Sequence, residues 1–112
     1  MEHDSTPIGW INFWKPKDDW YYLSPDARRA YFDDYAKVIK QGEAAGAKRL
    51  GSYKCRGQSL WSRVEVWEFP GLDVLVEMNQ ALEDIGHYQY FAEDNTVGRR
   101  YEREHDPNTW II

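Results

Sequence analysis

Two groups of residues in this chain could move protons. The first centres on His87, in Gly86-His-Tyr-Gln-Tyr-Phe91. It is the one histidine away from the chain ends, since His3 and His105 lie near the termini. An imidazole takes or gives a proton near neutral pH. It stands where a helical pattern breaks at a glycine, beside Tyr88 and Tyr90. A helix end also attracts histidine with no catalysis, through its terminal carbonyls. The second group is Arg63, Glu65 and Trp67, at alternate positions of Leu60 to Met78. A carboxylate against an aromatic wall suits general acid or base work. A guanidinium nearby can hold a carboxylate or phenolate. A cross-strand ion pair closing a subunit contact uses the same two charges. The expected catalytic set is therefore His87, Glu65 and Arg63.

Substrate-binding candidates are Asn12, Trp14, Tyr53, Trp67 and Tyr90. The tyrosine hydroxyls can donate to a phenolate or enolate, although most tyrosines are amphipathic packing residues. Cys55 has no assignable basic partner and reads as a small buried residue. No His/Cys/Asp cluster has metal-ligand spacing, so no metal is expected. No glycine-rich phosphate loop is present, so no cofactor is expected either. Asp18-Asp19 and Asp33-Asp34 are adjacent pairs that read as solvated charge.

These residues need a scaffold, and 112 residues specify a single domain, with its core over about 10–102 and a tail over 103–112. Charged residues make up 29%, and no apolar run spans a bilayer, so no membrane partner is expected. The net charge is −5 with scattered basic residues, which argues against a nucleic-acid surface. A single cysteine and the lack of a secretory leader point to the cytoplasm. Six Trp and eight Tyr are more rings than one small core hides, so some should line a pocket or an interface.

Strands are expected at Trp10–Trp14, Lys48–Cys55, Trp61–Phe69 and Thr96–Glu102. Helices are expected from Ser24 to about Ala45 and from Leu72 to about Ile85. Ser24 is the N-cap, Pro25 the first helical residue, and Gly46 the stop. Trp20–Leu23 reads as irregular, His87–Phe91 as one short turn, and Asp94-Asn95 as a loop. Trp110 to Ile112 should dock on this chain or a partner. The order β-α-β-β-α-β is α+β and ferredoxin-like: an antiparallel sheet with both helices on one face. Ile11, Phe13, Val64 and Val66 suit the helix-covered side. Asn12, Trp14, Arg63, Glu65 and Trp67 then face away, and a second copy stacked on that face would make a homodimer.

That element order, the Val64–Pro70 joint V-E-V-W-E-F-P and the Val97-Gly-Arg segment resemble the dimeric α/β barrel superfamily over roughly Trp10 to Glu102. Trp14-Lys-Pro-Lys-x-x-Trp20, Leu23-Ser-Pro and Gly86–Phe91 resemble an uncharacterised branch of it. The resemblance implies a dimer, and a range of functions: lyases, isomerases, cofactor-independent monooxygenases, haem enzymes and plain binding modules.

The expected function is an enzyme of the lyase, isomerase or cofactor-free monooxygenase type, working by proton transfer on a small ring-bearing or aromatic molecule. A non-catalytic ligand-binding or dimerisation module is the alternative, and it expects Glu65 to be paired with Arg63 across the dimer. A haem protein is the third reading. The haem-degrading branch resembles this chain in an Asn on the first strand and a Trp on the third. His87, however, lies past the end of the second helix, where that branch has its ligand on the helix.

Overall fold

The computed structural model describes residues 7–57 and 60–100. Its elements are β1 (Ile8–Pro16), α1 (Asp18–Tyr21), α2 (Pro25–Ala44), β2 (Lys48–Lys54), β3 (Arg63–Phe69), α3 (Leu72–Asp84), α4 (His87–Tyr90) and β4 (Phe91–Arg99). The strands form one antiparallel sheet in the order β2-β3-β1-β4. This is the ferredoxin-like arrangement, and α2 and α3 pack on one face of it.

Local chemistry sets the long helices. Ser24 Oγ accepts from the Ala27 N–H at 3.1 Å, and Pro25 opens α2 with its fixed φ. Gly46 follows the helix at φ +105°, a conformation that suits glycine. A Cβ there would also meet the Pro70 ring at 3.0 Å. In α3, Leu75, Met78 and Leu82 recur at helical spacing and are buried.

Which side of the sheet the helices cover is the opposite of the sequence expectation. Trp10, Asn12, Glu65, Trp67 and Phe69 are buried. Trp10, Trp67 and Phe69 pack on Val38, Leu75, Met78 and Leu82. Ile11 is exposed, while Phe13, Val64 and Val66 are only half-buried, on the uncovered face. Side-chain volume explains the inversion. The gap between sheet and helices is filled by indole and phenyl rings, which valine is too small to fill. Asn12 and Glu65 are tolerated on that face because each makes at least one hydrogen bond.

Other differences are local. Trp20 belongs to α1, its ring packed on Tyr31 and Phe91. Leu72 and Ala45 stand three residues from the buried Leu75 and Gly42, yet both are exposed. β4 begins at Phe91 rather than Thr96, because its first residues pair with Pro16, Lys15 and Trp14 of β1. The tail over 103–112 and the docking of Trp110 to Ile112 lie outside the described residues, as does the far end of the expected last strand. No helix among the described residues is long and apolar enough to cross a membrane.

Phe69 is 1% exposed in the centre of this core. Phe69→Ala should cost about 3–5 kcal/mol in urea unfolding, and Ser24→Ala about 1 kcal/mol.

Candidate functional site

The strand register builds the site. On the helix-covered face, Trp67, Trp10 and Val97 form one row across β3, β1 and β4. Glu65, Asn12 and Asn95 form the next, and Arg63, Trp14 and Glu93 the third. β2 adds Arg49 opposite Trp67 and Ser52 opposite Glu65. Above this face lies a cavity of about 220 Å³. Trp10, Trp14, Trp67 and Phe91 give it aromatic walls, and Tyr31 and Tyr35 reach it from α2. Asn12, Glu65, Glu93, His87, Arg49 and Arg63 are its principal polar lining groups.

One hydrogen-bonded chain crosses the interior. The Tyr31 hydroxyl meets His87 Nδ1. His87 Nε2 meets Glu93 Oε1 at 3.0 Å. Asn12 Nδ2 donates to the same Oε1 at 3.2 Å. Burial first, then the nearby Tyr35 and Glu93, pushes Tyr31 well above its ordinary pKa of about 10. Tyr31 therefore keeps its proton and donates it to Nδ1. The imidazole proton then sits on Nε2 and is donated to Glu93. Only the amide NH₂ of Asn12 can serve a carboxylate, so its orientation follows as well. Among the described residues two buried acceptors remain without partners: Glu93 Oε2 and Asn12 Oδ1.

The second carboxylate is committed to its neighbours. Glu65 Oε1 accepts from Trp67 Nε1 at 3.3 Å, and Oε2 from Ser52 Oγ at 3.4 Å. Arg49 lies 3.8 Å from Oε2 and over the Trp67 ring, 4.8 Å from its centroid. Arg63 stands over the Trp14 ring, exposed, with its guanidinium 5.7 Å from the centroid.

The cavity thus unites His87, Glu65, Arg63, Asn12, Trp14 and Trp67 of the residues singled out in the sequence. Tyr53 does not join them: it is 62% exposed, paired with Val64 on the uncovered face. Tyr90 packs on Trp20 and Tyr31 instead of lining the cavity. Within its own chain, Glu65 is paired with Arg49. Glu93 and Tyr31 were missed as site residues. The alternation Phe91, Glu93, Asn95, Val97 carried the signal for Glu93, and the turn-like pair Asp94-Asn95 masked it. Cys55 is half-buried, and no group of three potential metal-ligating side chains gathers among the described residues.

Residues 8–106 match a family of unknown function, DUF6616. No curated protein matches the chain. Several solved structures share the fold. A variant of chlorite dismutase from Candidatus Nitrospira defluvii is 17% identical with TM-score 0.72, over 92% of this chain and 44% of that one. A haem-binding protein from Thermus thermophilus is 16% identical with TM-score 0.68, over 92% and 46%. The RPA0582 protein is 16% identical with TM-score 0.64, over 89% and 84%. The chain therefore spans under half the length of the first two.

The tyrosines make alkaline stability a test of this interior. Burial raises Tyr31, Tyr35 and Tyr88 alike, with the Glu93 carboxylate adding to each. An unfolded tyrosine ionises near pH 10, before these do, so their contribution is intact below about pH 10 and is lost as pH rises beyond it. Urea stability should fall steeply above about pH 10, and Tyr31→Phe should flatten that fall. At pH 7 the same variant should cost about 1–3 kcal/mol, because it leaves the His87 ring nitrogen unpaired.

Proposed function

The chain belongs to the DUF6616 family, and for this member we propose acid–base catalysis on a small ring-bearing molecule, with Glu93 as the group that exchanges the proton. The observation that supports this reading is the unpaired Oε2 of Glu93 at the end of the Tyr31–His87–Glu93 chain. His87 touches no ligand in this reading. It holds Oε1 with its Nε2–H and steadies whichever charge Glu93 carries, while Tyr31 fixes the ring. Glu93 Oε2 takes a proton from a substrate C–H or O–H. The bonding pair stays on the substrate as an enolate or phenolate. Return of the proton at another atom completes an isomerisation, and loss of a leaving group completes an elimination. Arg63 stands on the same row as Glu93 to hold developing negative charge. In this reading Glu65, paired with Arg49, serves the structure, Glu93 and Arg63 touch the substrate, and His87 positions Glu93.

Proton–deuterium exchange into a panel of monocyclic ketones, enol lactones and phenols, followed by NMR, tests this. At least one ring hydrogen should exchange faster with the protein. Glu93→Gln should slow that exchange by about 10²–10⁴-fold, with Glu65→Gln keeping most of it. A panel without any acceleration, or a Glu93→Gln variant as fast as the parent, contradicts the reading.

The haem-binding neighbour raises a second reading. Iron held by histidine needs a free ring nitrogen. His87 is the one histidine among the described residues, and Tyr31 and Glu93 occupy its two nitrogens. Tyr31 and Tyr35 are held protonated by burial, which disfavours a phenolate ligand. These residues do not fit haem as an axial set. Added hemin should give no Soret change that depends on His87. A band lost in His87→Ala would overturn this.

The homodimer expected from sequence belongs, in the same proposal, on the opposite face from the one first assigned. Ile11, Phe13, Val64, Val66 and the exposed Tyr53 share the uncovered side of the sheet.

A further inference from the structure

We infer that the ligand of this cavity is a single-ring acid bound in one orientation, with hydrogen-bond donors toward Glu93 and Asn12 and its anionic group toward Arg63. The inference rests on the reading of this cavity as the site of proton transfer and names the substrate class it accepts.

The inner end follows from the two unpaired atoms. Glu93 Oε2 and Asn12 Oδ1 are acceptors with no partner among the described residues. The Glu93 side chain is 4% exposed, and Asn12 is likewise 4% exposed. No rotation of the Asn12 amide relieves this, because its NH₂ is needed by Glu93 Oε1. A ligand offering only acceptors would leave both atoms unpaired, at the desolvation cost of buried polar groups. A ligand with two adjacent O–H or N–H groups satisfies them together.

The middle follows from shape. Indole and phenyl rings wall a cavity of about 220 Å³. Pockets for drug-sized ligands run from roughly 300 to 1,000 Å³, so this one suits a single ring. The outer end follows from charge. Of the two arginines at the cavity, Arg49 is engaged by Glu65. Arg63 is exposed and stacked on Trp14, with its donors available to a carboxylate. Arg63 and Glu93 flank Trp14 on one row. Two strand spacings separate them, about 9–10 Å at the backbone. A para-substituted ring bridges that span once both side chains reach inward.

Calorimetric titration of the full chain with 3,4-dihydroxybenzoate, benzoate, catechol and 3,4-diaminobenzoate tests the orientation. Dihydroxybenzoate should bind at least about ten-fold more tightly than benzoate, which lacks the donors, and than catechol, which lacks the anion. Asn12→Leu should close most of the gap to benzoate and leave the gap to catechol. Arg63→Met, at an exposed position that spares the fold, should do the reverse. A diamino acid bound more tightly than the dihydroxy acid identifies N–H donors, and the opposite order O–H donors; both support the inference. No detectable binding of either disubstituted acid, equal binding of all four probes, or gaps that both variants leave unchanged overturns it. The readouts are separable. Oriented binding without hydrogen exchange removes proton transfer and keeps the ligand class, whereas exchange without donor preference removes the ligand class alone.

Discussion

His87 is gripped at both ring nitrogens, and four elements meet through that grip. Tyr31 comes from α2, His87 from α4, Glu93 from β4 and Asn12 from β1. Each bond lies in the interior, where a polar group gains from a partner and costs free energy without one. The helix–sheet packing would form from apolar rings alone. The placement of α4 would not: this four-residue helix follows Gly86 at φ +81° and is tied down by Lys17, whose N–H reaches the Tyr90 carbonyl at 2.7 Å and whose ammonium reaches that of Tyr88 at 2.7 Å. Those contacts set the imidazole where Glu93 can meet it.

Two buried carboxylates share the cavity, and their surroundings differ. Glu65 is met by an indole N–H, a serine hydroxyl and a guanidinium, so both oxygens are engaged. Glu93 is met on one oxygen only. A buried carboxylate with one committed and one open oxygen is poised toward whatever enters. The pair shows how one sheet face carries both an ion-paired carboxylate and one with an open oxygen, two strands apart.

Much of this was legible in the sequence. The ferredoxin-like order, the α2 cap at Ser24 and the break at Gly86 follow from turn chemistry and periodicity, which are local. Six of the residues first singled out do line one cavity. The face of the sheet was not legible, because alternation gives two parities and leaves the covered one to volume. Val64 and Val66 look like core by hydropathy, yet the space under the helices needed Trp10, Trp67 and Phe69. Glu93 was hidden because β4 begins through pairing with Lys15 and Trp14, about eighty residues away in sequence. The contact of Glu65 with Arg49 was hidden for a similar reason: Arg49 lies across the β2–β3 hairpin, at a register shifted by an irregularity between Arg49 and Gly51.

The tautomer of His87 tests the central claim most directly, through the ¹⁵N shifts and long-range couplings of its ring in NMR at neutral pH. The expected result is a ring protonated at Nε2, with Nδ1 showing the shift of a hydrogen-bonded acceptor, and a change in Nδ1 alone in Tyr31→Phe. A proton on Nδ1 with Nε2 free would contradict it, since His87 would then be open to a ligand or an iron and Glu93 would no longer end the chain.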